Sequence, residues 1–302
     1  MDDRQIAPLA VPAPDETTDV PLGDGDRIVL RRYVAAGRPA LALCHGNGFA
    51  TDAYAPFWAP LRGQFDLFVF DLRHHGRNAP QDAARTGIDR YAADLDRVYE
   101  AIRNNAPGVP LCGAFHSLSA ITSLWHAAHH DALPDRLVLI DPPIQPPEAH
   151  PLHELAHGFE LKLADWAAGR PATFRAPEDL AVGFGKSRSL SGWVPGAHLL
   201  MARSILRPEG EGWTLRCPPE VESRNYLDNA ALISWDLFDR VDVPVAIIGA
   251  DPEHPAGQSP AQVCAALAGD GPVDYRRIQG TTHMLQLEQP EACRQALLDC
   301  LA

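Results

Sequence analysis

Short apolar runs alternate with longer helical patterns along this chain, and that alternation predicts an α/β fold, a mostly parallel sheet covered by helices on both faces. Two further observations shape the expectation. The stretch Gly113-Ala114-Phe115-His116-Ser117-Leu118-Ser119-Ala120 joins a strand pattern to a helix pattern through small residues. A segment from about 142 to 236, rich in prolines and aromatics and without a clear strand run, interrupts the alternation late in the sheet.

Taken in chain order, residues 1–24 are rich in Pro, Asp and Thr and read as a mobile arm or loosely packed lead-in. Arg27–Tyr33 reads as an antiparallel edge strand paired with a later partner. Buried-strand runs follow at 40–44, 67–70, 111–112, 137–140, 243–248 and 273–278. Ile88, Tyr91, Leu95, Val98 and Ile102 recur at steps of three and four, the apolar stripe of an amphipathic helix. Leu118, Ile121, Leu124, Trp125 and Ala128 repeat the pattern after Ser117. The domain reading is therefore a core of 25–141 and 237–302, with 142–236 inserted as a helical cap over the strand ends. A small second domain with its own core is the alternative for that insertion.

With 302 residues, 46% hydrophobic and 22% charged, the chain can bury a full core. Its net charge of −13, from 26 basic and 39 acidic residues, repels nucleic acid and anionic membrane, so neither is expected as a partner. No run approaches the ~20 apolar residues of a membrane span, and the acidic opening lacks the apolar core of a secretion signal. The six cysteines show no C-x-x-C spacing and read as reduced, buried thiols. The expectation is a soluble cytoplasmic protein, monomer or homodimer, acting on a small molecule without cofactor or metal.

The stretch around Ser117 is how a serine is lifted onto a sharp strand-to-helix bend with its hydroxyl exposed above a helix N-terminus. The usual pattern is G-x-S-x-G, and here Phe115 and Ser119 occupy the glycine places. Ser119 fits worse as a nucleophile because its own flanks depart further from the motif. Three more landmarks follow in order: His45-Gly46-Asn47-Gly48-Phe49 after one strand run, Asp71-Leu72-Arg73-His74-His75-Gly76-Arg77 after the next, and Gly280-Thr281-Thr282-His283-Met284 before Leu287-Glu288-Gln289-Pro290 and a last amphipathic helix.

Together these motifs resemble the α/β-hydrolase fold superfamily over roughly residues 25–300, as a serine hydrolase, esterase- or lactonase-like, with an inserted cap. The resemblance implies Ser117 as nucleophile and His283 as general base, since a hydroxyl needs an imidazole to activate it and the imidazole a carboxylate to orient it. Asp251 is the expected carboxylate, at the head of an Asp-x-x-x-Pro run ending at Pro255, although the family usually has one more residue before it. Glu253 and Asp141 are the other choices. The oxyanion donors are expected to be the backbone N–H groups of Asn47 and Leu118. Phe49, His116, Trp166, Phe184, Trp193 and Met284 are the expected substrate contacts.

Rival readings remain open at this level. His153-Glu154-Leu155-Ala156-His157 spells the H-E-x-x-H of zinc peptidases, but Glu160 stands too near on the same helix to be the usual third ligand. Asn47 after His45-Gly46 also resembles haloalkane dehalogenases, whose elbow carries Asp where this chain has Ser117. A carbon–carbon bond hydrolase with the same triad and a catalytically silent receptor or scaffold complete the set.

Overall fold

The computed structural model describes residues 9–131, 133–257, 259–270 and 273–302. Its strands are β1 (Glu16–Pro21), β2 (Arg27–Tyr33), β3 (Ala40–Cys44), β4 (Asp66–Val69), β5 (Leu111–His116), β6 (Arg136–Ile140), β7 (Thr173–Phe174), β8 (Leu206–Glu209), β9 (Gly212–Leu215), β10 (Val245–Gly249) and β11 (Asp274–Arg277). Its helices are α1 (Ala55–Trp58), α2 (Ile88–Asn105), α3 (Leu118–His129), α4 (His153–Gly169), α5 (Pro177–Lys186), α6 (Ala197–Ile205), α7 (Pro219–Leu232), α8 (Ser259–Asp270), α9 (Leu285–Glu288) and α10 (Pro290–Leu301).

The main sheet has eight strands in the order β1-β2-β4-β3-β5-β6-β10-β11. From β4 to β11 every pairing is parallel, and β1 and β2 add an antiparallel edge. All five residues of β3 are buried, as a central strand covered on both faces requires. One core cluster lies on each face of the sheet, and α2 and α3 press Tyr91, Leu95, Val98, Ile121 and Leu124 into one of them.

Two expectations about the first residues change. The lead-in assigned to 1–24 falls partly on 1–8, outside the described residues, but 16–21 form strand β1. Its polar residues pair with β2 by backbone hydrogen bonds that composition does not reveal. β2 therefore pairs with an earlier strand as well as with the later β4.

The insertion carries helices α4 to α7 and also a small antiparallel sheet, β7-β9-β8, where no strand was read from the sequence. Its two stems leave and return side by side. Gln145 N–H donates to the Ile233 carbonyl (2.9 Å), and Trp235 N–H donates to the Gln145 carbonyl (3.1 Å). α4 packs along α7 within the cap.

The Asp71–Arg77 turn works as a buried polar staple. The Asp71 carboxylate accepts the backbone N–H groups of Thr51 (2.7 Å) and Arg77 (2.9 Å), while Arg73 forks onto Asp94 at 2.7 and 3.0 Å. Gly76 has φ +50°, and a Cβ there would collide with the Asp71 carboxylate. Gly63 has φ +80° with open space around it. Gly63→Ala should therefore cost only the ~1–3 kcal/mol of an unfavourable backbone conformation, and Gly76→Ala clearly more, in urea unfolding. Equal costs for the two would show that the turn is not held by its wrap around Asp71.

Candidate active site

Parallel register brings the chemistry to one edge. His116 on β5 pairs with Ile140 on β6, and Ile140 pairs with Ile248 on β10. The next residues, Ser117 and Asp141, continue the ladder: Ser117 N–H donates to the Ile140 carbonyl (3.1 Å) and Asp141 N–H to the Ile248 carbonyl (2.8 Å). Both then turn sharply into left-handed backbone, at φ 52° and 43°. Such conformations cost energy and are held here by the strands behind them.

His283, from the loop after β11, stands between the two. The Ser117 hydroxyl donates to its Nε2 (2.9 Å), and its Nδ1–H donates to Asp141 Oδ2 (2.6 Å). Asp141 is fully buried, and its second oxygen accepts Ala250 N–H (2.9 Å). The His283 loop is tied by Glu288, whose carboxylate accepts Thr282 N–H and the Thr282 hydroxyl, both at 2.6 Å.

The carboxylate on His283 is thus Asp141, and the expectation for Asp251 is corrected. Asp251 turns the other way. Its oxygens accept the N–H groups of Gly280 (2.8 Å) and Glu253 (3.0 Å), and the first of these holds its carboxyl below the usual range. Glu253 is paired with Arg277 at 3.0 Å instead. The shortened Gly249-Ala250-Asp251 turn spends its reach on the Gly280 loop, so Asp251 buttresses the loop that delivers His283.

The altered elbow has its own compensation. A Cβ at Gly113 would run into the ring of Phe115, so the glycine missing at 115 is supplied two residues earlier. Ser119 staples the bend: its hydroxyl donates to the His116 carbonyl and accepts His116 N–H, both at 3.0 Å. That leaves Ser119 buried and engaged, away from His283.

Beside the elbow, the loop after β3 comes so close that a Cβ on Gly46 would lie 3.0 Å from Ser117 Cβ. Among the described residues the backbone N–H groups of Asn47 and Leu118 carry no hydrogen bond. The Asn47 side chain is clamped by α7: it donates to the Glu222 carbonyl and accepts from the Asn225 amide, both at 2.9 Å. Glu222 is itself paired with Arg170 at 2.7 Å.

His116, expected at the substrate, is buried behind the site. Its Nε2–H donates to the His283 carbonyl (2.9 Å), so its Nδ1 is the lone pair that accepts from Tyr54 Oη (2.9 Å). Burial, and then the neighbouring His283, push its pKa well below that of a free imidazole. Tyr54, which no sequence motif marked, also accepts Gly46 N–H (3.4 Å). One hydrogen-bonded chain thereby joins the Gly46 loop, the elbow and the His283 loop.

Ser117 and His283 open into a cavity of about 300 Å³. Asn47, Phe49, Met284 and Trp166 line it, together with Phe159, Leu163 and Tyr226. Phe184 and Trp193 do not line it. They are buried together, rings 5.5 Å apart, where the cap packs on the core. His153 and His157 stack 5.8 Å apart on α4. Among the described residues, the group placed within ligating distance of one another is instead Asp96, His126 and His130, on α2 and the α3 end.

A family model described as "Alpha/beta hydrolase family" matches residues 41–296. Solved structures similar to this chain include an E-2-(acetamidomethylene)succinate hydrolase at 17% identity, covering 95% of this chain and 98% of that one with TM-score 0.74. An alpha/beta hydrolase from Novosphingobium aromaticivorans is 18% identical, with coverages of 96% and 99% and TM-score 0.71. A thermophilic esterase from Thermogutta terrifontis is 19% identical, with coverages of 95% and 98% and TM-score 0.66. No curated protein matches the chain. No helix among the described residues is long and apolar enough to cross a membrane.

Three fully buried imidazoles surround the site: His45, His75 and His116, all with pKa lowered chiefly by burial. Each is neutral when folded but gains a proton near pH 6.5 when unfolded, so the unfolded state binds more protons below that pH. Stability is unaffected above ~6.5 and falls below it, by up to ~1.4 kcal/mol per pH unit for each group. The urea midpoint should drop as the pH falls below about 6.5, with the ring ¹⁵N shifts of all three showing protonation at lower pH than in a free imidazole. A His116 that protonates above pH 6 would overturn the tautomer assignment.

Proposed function

The chain belongs to the alpha/beta hydrolase family, and from that membership we propose that it is a serine hydrolase cleaving an ester, thioester or lactone of a mid-sized, largely apolar molecule through Ser117, His283 and Asp141. The observation that carries the reading is the continuous pair of hydrogen bonds from Ser117 Oγ through the His283 ring to the buried Asp141 carboxylate.

Ser117 Oγ attacks the acyl carbon while His283 Nε2 takes its proton. The imidazolium formed is stabilised by Asp141, whose position also keeps the tautomer with Nδ1–H and a free Nε2 lone pair. Negative charge on the acyl oxygen is received by the Asn47 and Leu118 N–H groups, the latter at the N-terminus of α3. His283 then protonates the leaving group, and water attacks the acyl-enzyme by the reverse sequence. The apolar wall of Phe49, Phe159, Leu163, Trp166 and Met284 supports an apolar acyl or alcohol group, each buried CH₂ contributing ~0.8 kcal/mol. The esterase among the similar structures accords with this class but does not choose a substrate.

A fluorophosphonate should label Ser117, and Ser117→Ala should abolish both labelling and ester hydrolysis. Asp141→Asn should lower kcat by ~10⁴-fold through the wrong tautomer, while Asp251→Asn lowers it less than ~10-fold. Full activity in Ser117→Ala, or a crippled Asp251→Asn beside a healthy Asp141→Asn, would overturn the assignment.

A further inference from the structure

Away from Ser117, one side-chain cluster has no part in the chemistry described above. His126 and His130 stand four residues apart at the C-terminal end of α3, so the helix sets them as neighbours on one face. Their rings stack, with centroids 4.8 Å apart and planes 16° apart. Asp96 reaches across from α2 and meets both: its Oδ1 accepts from His126 Nε2–H and its Oδ2 from His130 Nδ1–H, each at 2.8 Å. One ligand atom from each residue lies within 4.8 Å of the other two. Ligand atoms around a tetrahedral zinc ion are ~3.3 Å apart, given bonds of ~2.0–2.1 Å. The spacings of 2.8 to 4.8 Å bracket that value, so small shifts of three side chains convert the cluster into a coordination shell.

We propose that Asp96, His126 and His130 form a binding site for a late first-row divalent cation, zinc foremost, that clips α2 to α3. The site lies ~13–20 Å along α3 from the elbow, at 1.5 Å per residue, and takes no part in the chemistry at Ser117.

The donor set decides the class of ion. Two imidazole nitrogens and one carboxylate oxygen suit zinc, cobalt or nickel, whereas magnesium and calcium favour oxygen throughout. The His126 side chain is fully buried, but those of Asp96 and His130 are 36% and 25% exposed, so an ion can enter from that side and water can complete its shell. On binding, each imidazole carries its proton on the nitrogen away from the cluster. For His126 this is Nδ1, which has no hydrogen-bond partner among the described residues, so no donor there forces the proton onto Nε2. The last carbonyls of α3 and the net charge of −13 both favour a cation at this place. Arg97, beside Asp96 in sequence, is turned to Glu100 at 3.4 Å. His129 is spent on Trp125, whose carbonyl accepts its Nδ1–H at 2.8 Å. The H-E-x-x-H pair on α4 has no comparable third group among the described residues.

The test titrates the full chain, freed of metal with a chelator, with zinc chloride and cobalt chloride above pH 7, where free imidazoles are neutral. The wild type should bind zinc with a micromolar Kd or tighter and gain a higher urea midpoint from it. Cobalt should give visible d–d absorption without a thiolate charge-transfer band. Asp96→Asn and His130→Gln each keep a hydrogen-bonding group but remove a ligand, and should weaken binding by at least ~100-fold, more than the loss of an outer-shell partner costs. His157→Gln, on the α4 pair, should leave that binding unchanged. Folding of each variant is checked by thermal denaturation in chelator. In the wild type, ring ¹⁵N shifts should mark His126 Nε2 and His130 Nδ1 as the metallated nitrogens, a readout that depends on no variant. Three results overturn the site: no zinc binding by the wild type at micromolar metal, binding undiminished in both Asp96→Asn and His130→Gln, or zinc shifts at other histidines with none at His126 and His130.

Discussion

The parallel register across β5, β6 and β10 is the constraint on which the site depends. Because His116, Ile140 and Ile248 lie level in the ladder, the residues that follow leave the sheet at the same height. Neighbouring strands are ~4.8 Å apart, a gap that an imidazole entering from above can bridge. The two departures at positive φ, Ser117 and Asp141, then aim an oxygen from each strand end at opposite nitrogens of one ring. A slip of one residue in either pairing would turn one of those side chains to the other face of the sheet and leave His283 with a single partner.

Neutral buried histidines then lock the loops that the sheet only roughly positions. His116 joins the His283 carbonyl to Tyr54, and Tyr54 receives Gly46 N–H. His45 and His75 act similarly one layer away, accepting the N–H groups of Leu72 and Gly48, both at 3.1 Å. In each ring one nitrogen donates to a carbonyl and the other accepts, so a proton added to any of them would set two donors against each other. Lysine or glutamine could not replace such a rigid donor–acceptor bridge, which accounts for His116 standing behind the site where a substrate contact was expected.

Most of the parallel sheet was legible in the sequence because central strands are buried on both faces and read as unbroken apolar runs. The polar edge strand at 16–21 and the short strands of the insertion were not, since their pairing is carried by backbone groups rather than by composition. Ser117 and His283 were legible because each sits in a local motif. The carboxylate was not, because a pattern along the chain says nothing about which of two neighbouring strand ends reaches the ring. Asp251 matched the expected loop but lost its reach to Gly280, while Asp141, with no motif around it, had the register. The aromatics of the insertion divided for a similar reason: Trp166 and Phe159 face the cavity, whereas Phe184 and Trp193 serve the seam between cap and core.

The cap is more than a cover. Helix α7 holds the Asn47 side chain at both ends, and Gly48 is pressed so near Glu222 that a Cβ there would come within 2.6 Å of its Oε1. Glu222 is buried, and its carboxyl is pushed up by that burial while Arg170 pulls it back toward ionisation. Lifting α7 would thus break two hydrogen bonds to Asn47 and open a buried ion pair, whose broken halves are costly to leave unpaired. The backbone N–H of Asn47 can hold its aim toward the elbow only while that clamp is closed. Helix α7 and the loop after β3 are therefore coupled, and any displacement of α7 carries the cost of those bonds.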